Sequence, residues 1–236
     1  MKTIGLLGGM SWESTVPYYR TINETIRGRL GGLHSARIVL YSVDFHEIEA
    51  AQHAGRWDDA GAQLAAAARA LEAAGADFIV LATNTMHKVA PQIEAAVALP
   101  LLHIADPTAE RIRAAGHRRI GLLGTRFTME EDFYIERLRS RHALDVLVPD
   151  AADRDVVHRI IYDELCLGTI AAASRDAYRA IIGRLVARGA ECVILGCTEI
   201  SLLVSDRDSP VPLFDTTTIH AEAAALHALD AAESSP

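Results

Sequence analysis

The chain has 236 residues, of which 50% are hydrophobic, 23% charged and 6% aromatic. Those values exclude disorder, collagen-like repeats and a disulfide scaffold, and they fit one large α/β domain or two smaller ones of about 100 residues. A net charge of -8 argues against a nucleic-acid-binding face, which needs clustered Lys and Arg. The bulky apolar run Phe78–Leu81 is far too short to span a bilayer. The N-terminal MKTIGLLGGMSWE is interrupted by Gly8 and Gly9 and has no small-residue cleavage site, so it reads as a first strand rather than a secretory signal, and a cytoplasmic protein is expected. Three cysteines, Cys166, Cys192 and Cys197, cannot all pair there and are expected to stay reduced.

In chain order, short apolar runs alternate with Ala-rich stretches. The runs are KTIGLLGG, ARIVLYSV, DFIVLATN, PLLHIA, RRIGLLGT, DVLVP, ECVILGCT and VPLFD; helices are predicted between several of them, for example over 59–74 and 174–188. Unbroken apolar strands separated by helices indicate parallel sheets covered on both faces.

The chain also echoes itself. Ile4–Gly8 (IGLLG) recurs at Ile120–Gly124, 116 positions on; Gly75–Leu81 recurs as Gly189–Leu195 at 114; Pro100-Leu101 recurs as Pro212-Leu213 at 112. A duplicated α/β half suggests two similar domains facing each other across a cleft. Ligands of open α/β sheets sit beyond the carboxyl ends of the strands, so the residues just after each strand are the ones to examine.

After the first strand come Gly8, Gly9, Met10 and Ser11, and after its echo Gly124, Thr125, Arg126, Phe127 and Thr128. Small and hydroxyl residues at a helix start free backbone N–H groups for an anion such as a carboxylate; the same residues also make ordinary tight turns and caps. No G-x-G-x-x-G, G-x-x-x-x-G-K-[ST] or G-x-S-x-G pattern is present, which disfavours dinucleotides, nucleoside triphosphates and a serine hydrolase. The ten histidines show no metal-binding spacing; His46 and His53, seven apart, fit a solvated helix face, and no metal is expected. After the other repeated strand the halves read Ala82-Thr83-Asn84-Thr85 and Gly196-Cys197-Thr198-Glu199, placing Thr83 in the position of Cys197. A thiol at a strand end beside Thr and Glu is where an activated cysteine is expected. Cys192, mid-strand, reads as a buried small hydrophobe, and Cys166 as packing at the end of a helix.

At these residues the sequence resembles the cofactor-independent aspartate/glutamate racemase family. IGLLGGM, ATNTMH at 82–87, LGT at 123–125 and ILGCTE at 194–199 carry the match, and LGGMSWEST with TNTMHKV is similar to the broad-specificity amino-acid racemase branch. The resemblance implies two Rossmann-like domains with parallel sheets flanked by helices, related by a pseudo-twofold, with the active site in the cleft between them. It puts residues 1–98 plus 210–236 in the first domain and 99–209 in the second. It implies racemisation of an acidic amino acid with no cofactor, by two cysteines on opposite faces of Cα. Cys197 matches the second cysteine, Glu199 would assist it, and Thr83 stands where the first is expected. A thiol of pKa about 8.5 is a few per cent thiolate at pH 7, whereas a threonine hydroxyl is a poor base that can still relay or donate a proton. Met10, Gln52, Asn84, Thr85, Thr125, Thr128 and Thr198 fall where substrate-binding groups are expected. Aspartate-specific relatives place an Arg after the second strand and a Lys near the end of the 154–166 helix; here Asp44–Glu47 and Leu165-Cys166 stand there, so broad side-chain specificity is expected.

The expected partners are a small-molecule amino acid and, as the assembly considered, a second copy in a homodimer, with no nucleic acid and no membrane. Two rival readings remain open: a single-thiol decarboxylase on the same scaffold, and an amino-acid-binding protein without turnover.

Overall fold

The computed structural model describes residues 1–230. All eight apolar runs form strands: β1 Ile4–Gly8, β2 Ile38–Ser42, β3 Phe78–Leu81, β4 Leu101–Leu102, β5 Arg119–Gly124, β6 Asp145–Leu147, β7 Cys192–Gly196 and β8 Leu213–Asp215. They build two parallel four-stranded sheets flanked by helices, ordered β2-β1-β3-β4 and β6-β5-β7-β8. The described chain divides into two compact units, one of residues 1–103 with 220–230, the other Ile104–Ile219.

The internal echo is therefore a repeated topology. Ile4 pairs with Phe78 in the first sheet as Ile120 pairs with Cys192 in the second. Within each strand, alternate residues enter separate cores, as a pleat with helices on both faces requires. In the first unit Ile4, Leu6, Phe78 and Val80 join one core, and Leu7, Ile79 and Leu81 the other. In the second, Ile120, Leu122, Cys192 and Ile194 share one core while Leu123, Val193 and Leu195 share its counterpart. Cys192 is fully buried in that apolar setting, as its mid-strand position predicts.

The helix predicted over 59–74 spans Trp57–Ala73, and that over 174–188 spans Ala172–Ala187. The first starts two residues earlier, where Asp58 and Asp59 complement the positive helix end. One local expectation is corrected. The helix expected to run through Cys166 stops at Asp163, because Glu164 leaves the helical region at φ -126°, ψ -65°; Cys166 lies in a separate 3₁₀ turn, Leu165–Leu167. Among the described residues no helix is long and apolar enough to cross a membrane.

Candidate active site

In the first unit the carboxyl end of β1 is shaped by glycine. Gly9 has φ +93°, and a Cβ there would lie 2.6 Å from Val43 N and 2.8 Å from Ser42 Oγ, so only glycine fits. Thr15 ties the turn together: its Oγ1 accepts from Gly9 N–H at 2.8 Å and donates to Ser11 O at 2.9 Å. Met10 then enters the same core as Met86, and Gln52 Nε2 donates to Met86 Sδ at 2.9 Å. Met86 belongs to the 3₁₀ turn Thr85–Val89 that follows β3. The structure thus gathers Met10, Gln52, Thr83, Asn84 and Thr85 around one strand-end turn, all of them buried.

Thr83 lies just beyond the last β3 residue and is 6% exposed. Its N–H donates to Leu81 O at 2.9 Å and its carbonyl accepts from His87 Nδ1 at 2.7 Å. Its hydroxyl makes no hydrogen bond to any described residue. His87, four residues on in the chain, and Asp44, just after β2, are both committed elsewhere. The bond from His87 Nδ1 goes to the backbone of Thr83, and Asp44 Oδ1 accepts from His46 N–H at 3.1 Å, capping the helix Phe45–His53. Asp44 is a cap, and no cation takes its place among Asp44–Glu47.

In the second unit β5 and β7 end side by side, Gly124 opposite Gly196, so tightly that a Cβ on Gly124 would lie 2.7 Å from Gly196 O. Thr125 caps the helix Arg126–Glu130: its Oγ1 accepts from Thr128 N–H at 3.3 Å and lies 3.2 Å from Thr128 Oγ1. Cys197, Thr198 and Glu199 follow β7. Cys197 Sγ and Thr198 Oγ1 both donate to Glu199 Oε2, each at 2.9 Å, and Glu199 is 2% exposed. Burial and the Glu199 carboxylate push the Cys197 thiol well above the ordinary cysteine range. The expectation of a partly ionised thiol is corrected here: the resting group is a thiol, because a buried sulfur beside an acceptor carboxylate loses by ionising. The short helix that follows, Ile200–Leu203, begins only after Glu199.

Sequence reasoning passed over several neighbours. The fully buried Tyr178 packs against the same core as Cys197, its hydroxyl pushed up by burial and by the nearby Cys197 and Cys166; Cys166, read from the sequence as packing, lies against that core as well. Thr216 Oγ1 donates to Leu195 O at 2.8 Å and Thr217 Oγ1 to Thr198 O at 3.4 Å, bracing the β7 end from the segment after β8. The strand-end rule applied to β8, whose Asp215-Thr216-Thr217 is rich in hydroxyls, would have found both. The buried histidines His87, His103 and His220 carry no such sequence signal. Among the described residues no three His, Cys, Asp or Glu side chains converge as a metal site; His53, for its part, pairs with Glu49 at 2.6 Å.

Comparison with known proteins places the fold and these strand ends in context. The family model for Asp/Glu/hydantoin racemases matches residues 7–224. The broad-specificity amino-acid racemase RacX of Bacillus subtilis is 23% identical over 226 residues, covering 91% of this chain and 92% of its own. A Yersinia pestis protein assigned to the Asp/Glu racemases is 60% identical, with a TM-score of 0.90, covering 98% of this chain and all of its own. An aspartate racemase homologue from Pyrococcus horikoshii is 36% identical over the same 98%, with a TM-score of 0.83. The chain belongs to the Asp/Glu/hydantoin racemase family and is an isomerase, an amino-acid racemase.

Proposed function

We propose that this racemase interconverts L- and D-glutamate or aspartate without a cofactor, using Cys197 and Thr83 as an unequal pair on opposite faces of Cα. The observation that carries this reading is the Cys197 Sγ–H···Oε2 Glu199 bond of 2.9 Å. Glu199 takes the thiol proton, and the thiolate takes the Cα proton; the C–H electron pair remains on carbon, delocalised into the substrate carboxylate. Thr83 delivers a proton to the other face and is reprotonated from solvent, while Glu199 releases the thiol proton to solvent, which returns the site to its starting state. In the reverse sense the Thr83 oxygen must take a proton, and its hydroxyl is bonded to no acceptor among the described residues. The two groups are therefore unequal as bases, and the inequality shows in kcat and KM separately.

Met10, Gln52, Asn84 and Thr85 on the first unit, and Thr125, Thr128 and Thr198 on the second, are proposed to hold the α-carboxylate and α-ammonium. They are buried hydroxyls, amides and a thioether rather than cations, which suits orientation more than a fixed side-chain charge. Lysine usage supports a cofactor-free reaction. The chain has two lysines. Lys2 Nζ lies 3.2 Å from His227 Nε2, and Lys88 Nζ lies 3.8 Å over the Trp57 ring. Neither is placed as a Schiff-base amine at a strand end.

The test is incubation of each enantiomer of Asp and Glu in D₂O, following Cα deuteration and chirality together. Racemisation with deuterium incorporation, insensitive to carbonyl reagents and lost by several orders of magnitude in Cys197→Ser, is the expected result. Ligand-induced stabilisation without turnover would favour the binding-protein reading. Carbon dioxide release from a disubstituted malonate would favour the decarboxylase.

A further inference from the structure

Behind Thr83 lies a group of buried imidazoles that the proposed chemistry does not use. His87 is 2% exposed, in the 3₁₀ turn Thr85–Val89; His103 follows β4, and His220 lies on the helix Thr216–Leu229. The His87 and His103 rings are 4.2 Å apart between centroids, and His220 is 6.2 Å from His87. Their protons can be assigned, because a carbonyl only accepts. His220 Nε2 donates to Leu102 O at 2.8 Å, and its Nδ1 lies 2.9 Å from the Tyr18 hydroxyl. His87 carries its proton on Nδ1 and donates it to the Thr83 carbonyl at 2.7 Å.

That bond has a specific consequence. The ladder of β3 ends with Leu81 paired to Leu7 and Ala82 N–H donating to Leu7 O. The Thr83 carbonyl lies past it, and His87 is its hydrogen-bond partner. The peptide that carries the Thr83 side chain is held by an imidazole, and that imidazole is held by its ring neighbours. The hydroxyl itself stays uncommitted. We infer that His87 is the positioning residue for Thr83: it fixes the strand-end peptide, and with it the direction of the Thr83 hydroxyl, while taking no proton from that hydroxyl. This inference rests on the role of Thr83 proposed above.

The experiment separates inversion from exchange. In D₂O, a carbanion formed at Cys197 can be deuterated from the Cys197 side, with retention, or from the Thr83 side, with inversion. His87→Leu removes the donor, and a displacement of about 1 Å costs about 100-fold. Inversion should fall by about that factor while deuteration with retention changes little. His87→Asn, whose amide N–H sits near the Nδ1 position, should recover most of the inversion. A histidine with only a structural role would lower both readouts in proportion, and that result overturns the inference. Should His87→Leu fail to fold, His87→Asn against His87→Gln gives the same comparison, because only the shorter amide matches Nδ1; equal inversion-to-retention ratios in the two then overturn it. Thr83→Ala is the control. If inversion survives in Thr83→Ala, the Thr83 reading itself fails. If Thr83→Ala loses inversion but the His87 variants keep the wild-type ratio, only the role of His87 fails.

Discussion

Replacing Glu199 by Gln distinguishes two opposite roles for one carboxylate. Glu199 Oε2 accepts from both Cys197 Sγ and Thr198 Oγ1 at 2.9 Å, inside a site where Glu199 is 2% exposed. Its negative charge is also one reason the Cys197 thiol is pushed up. If Glu199 acted only as that charge, glutamine would bring the thiol down, increase the thiolate at any given pH and speed the reaction. If Glu199 is the group that takes the thiol proton, glutamine can still accept both hydrogen bonds through its amide oxygen but cannot accept the proton. Loss of a positioned base costs about 10²- to 10⁴-fold, or about 2.7 to 5.4 kcal/mol of barrier. The expected outcome is therefore a kcat lower by that factor, with no faster alkylation of Cys197 by iodoacetamide at fixed pH, since both reactions need the thiol proton removed. With hydrogen bonds retained, folding stability should change by about 1 kcal/mol or less. The assay pairs enantiomer-resolved turnover with alkylation rates from pH 7 to 10. An unchanged or raised kcat in Glu199→Gln would refute the reasoning.

Further outcomes follow from the same geometry. The equilibrium constant between enantiomers is one, so kcat/KM is equal in both directions and the unequal pair must show in kcat and KM separately; Thr83→Cys should raise kcat/KM for both directions and narrow the kcat difference, and a variant no faster than wild type would count against the pair. The thiols of Cys197 and Cys192, the latter pushed up to about 12 by burial, keep their protons in the folded protein after the unfolded chain has lost them. Their contribution is present below about pH 9 and is lost as pH rises toward 12, so the urea midpoint should drop between pH 8 and 10.5 and drop less in Cys192→Ala; a flat profile contradicts the assignment. Gly9→Ala forces a Cβ at φ +93° against Val43 N, and unfolding free energy should fall by about 2–5 kcal/mol in urea titration, a loss under 1 kcal/mol showing that the turn can yield.

The family and the strands were legible in the residues themselves. Apolar runs such as IGLLG and CVILG can only be buried on both faces, and their recurrence at a spacing of 112–116 announced a topology used twice. That Thr83 and Cys197 follow strands in corresponding places was legible too, because the strand-end rule depends only on chain order. What lay beyond it required the fold. Helix Phe45–His53 takes Asp44 as its cap, and Glu164 breaks a helix that periodicity would continue, because local hydrogen bonds decide such ends. His87 stands four residues after Thr83 in the chain, but only the fold shows that its ring bonds the Thr83 carbonyl and that His103 and His220 reach it from 16 and 133 residues away. The protonation of Cys197 was misjudged for the same reason. A sequence shows which groups are neighbours along the chain, whereas the charge state of a thiol depends on how much water the surrounding core removes and which oxygen it faces, and both are properties of packing alone.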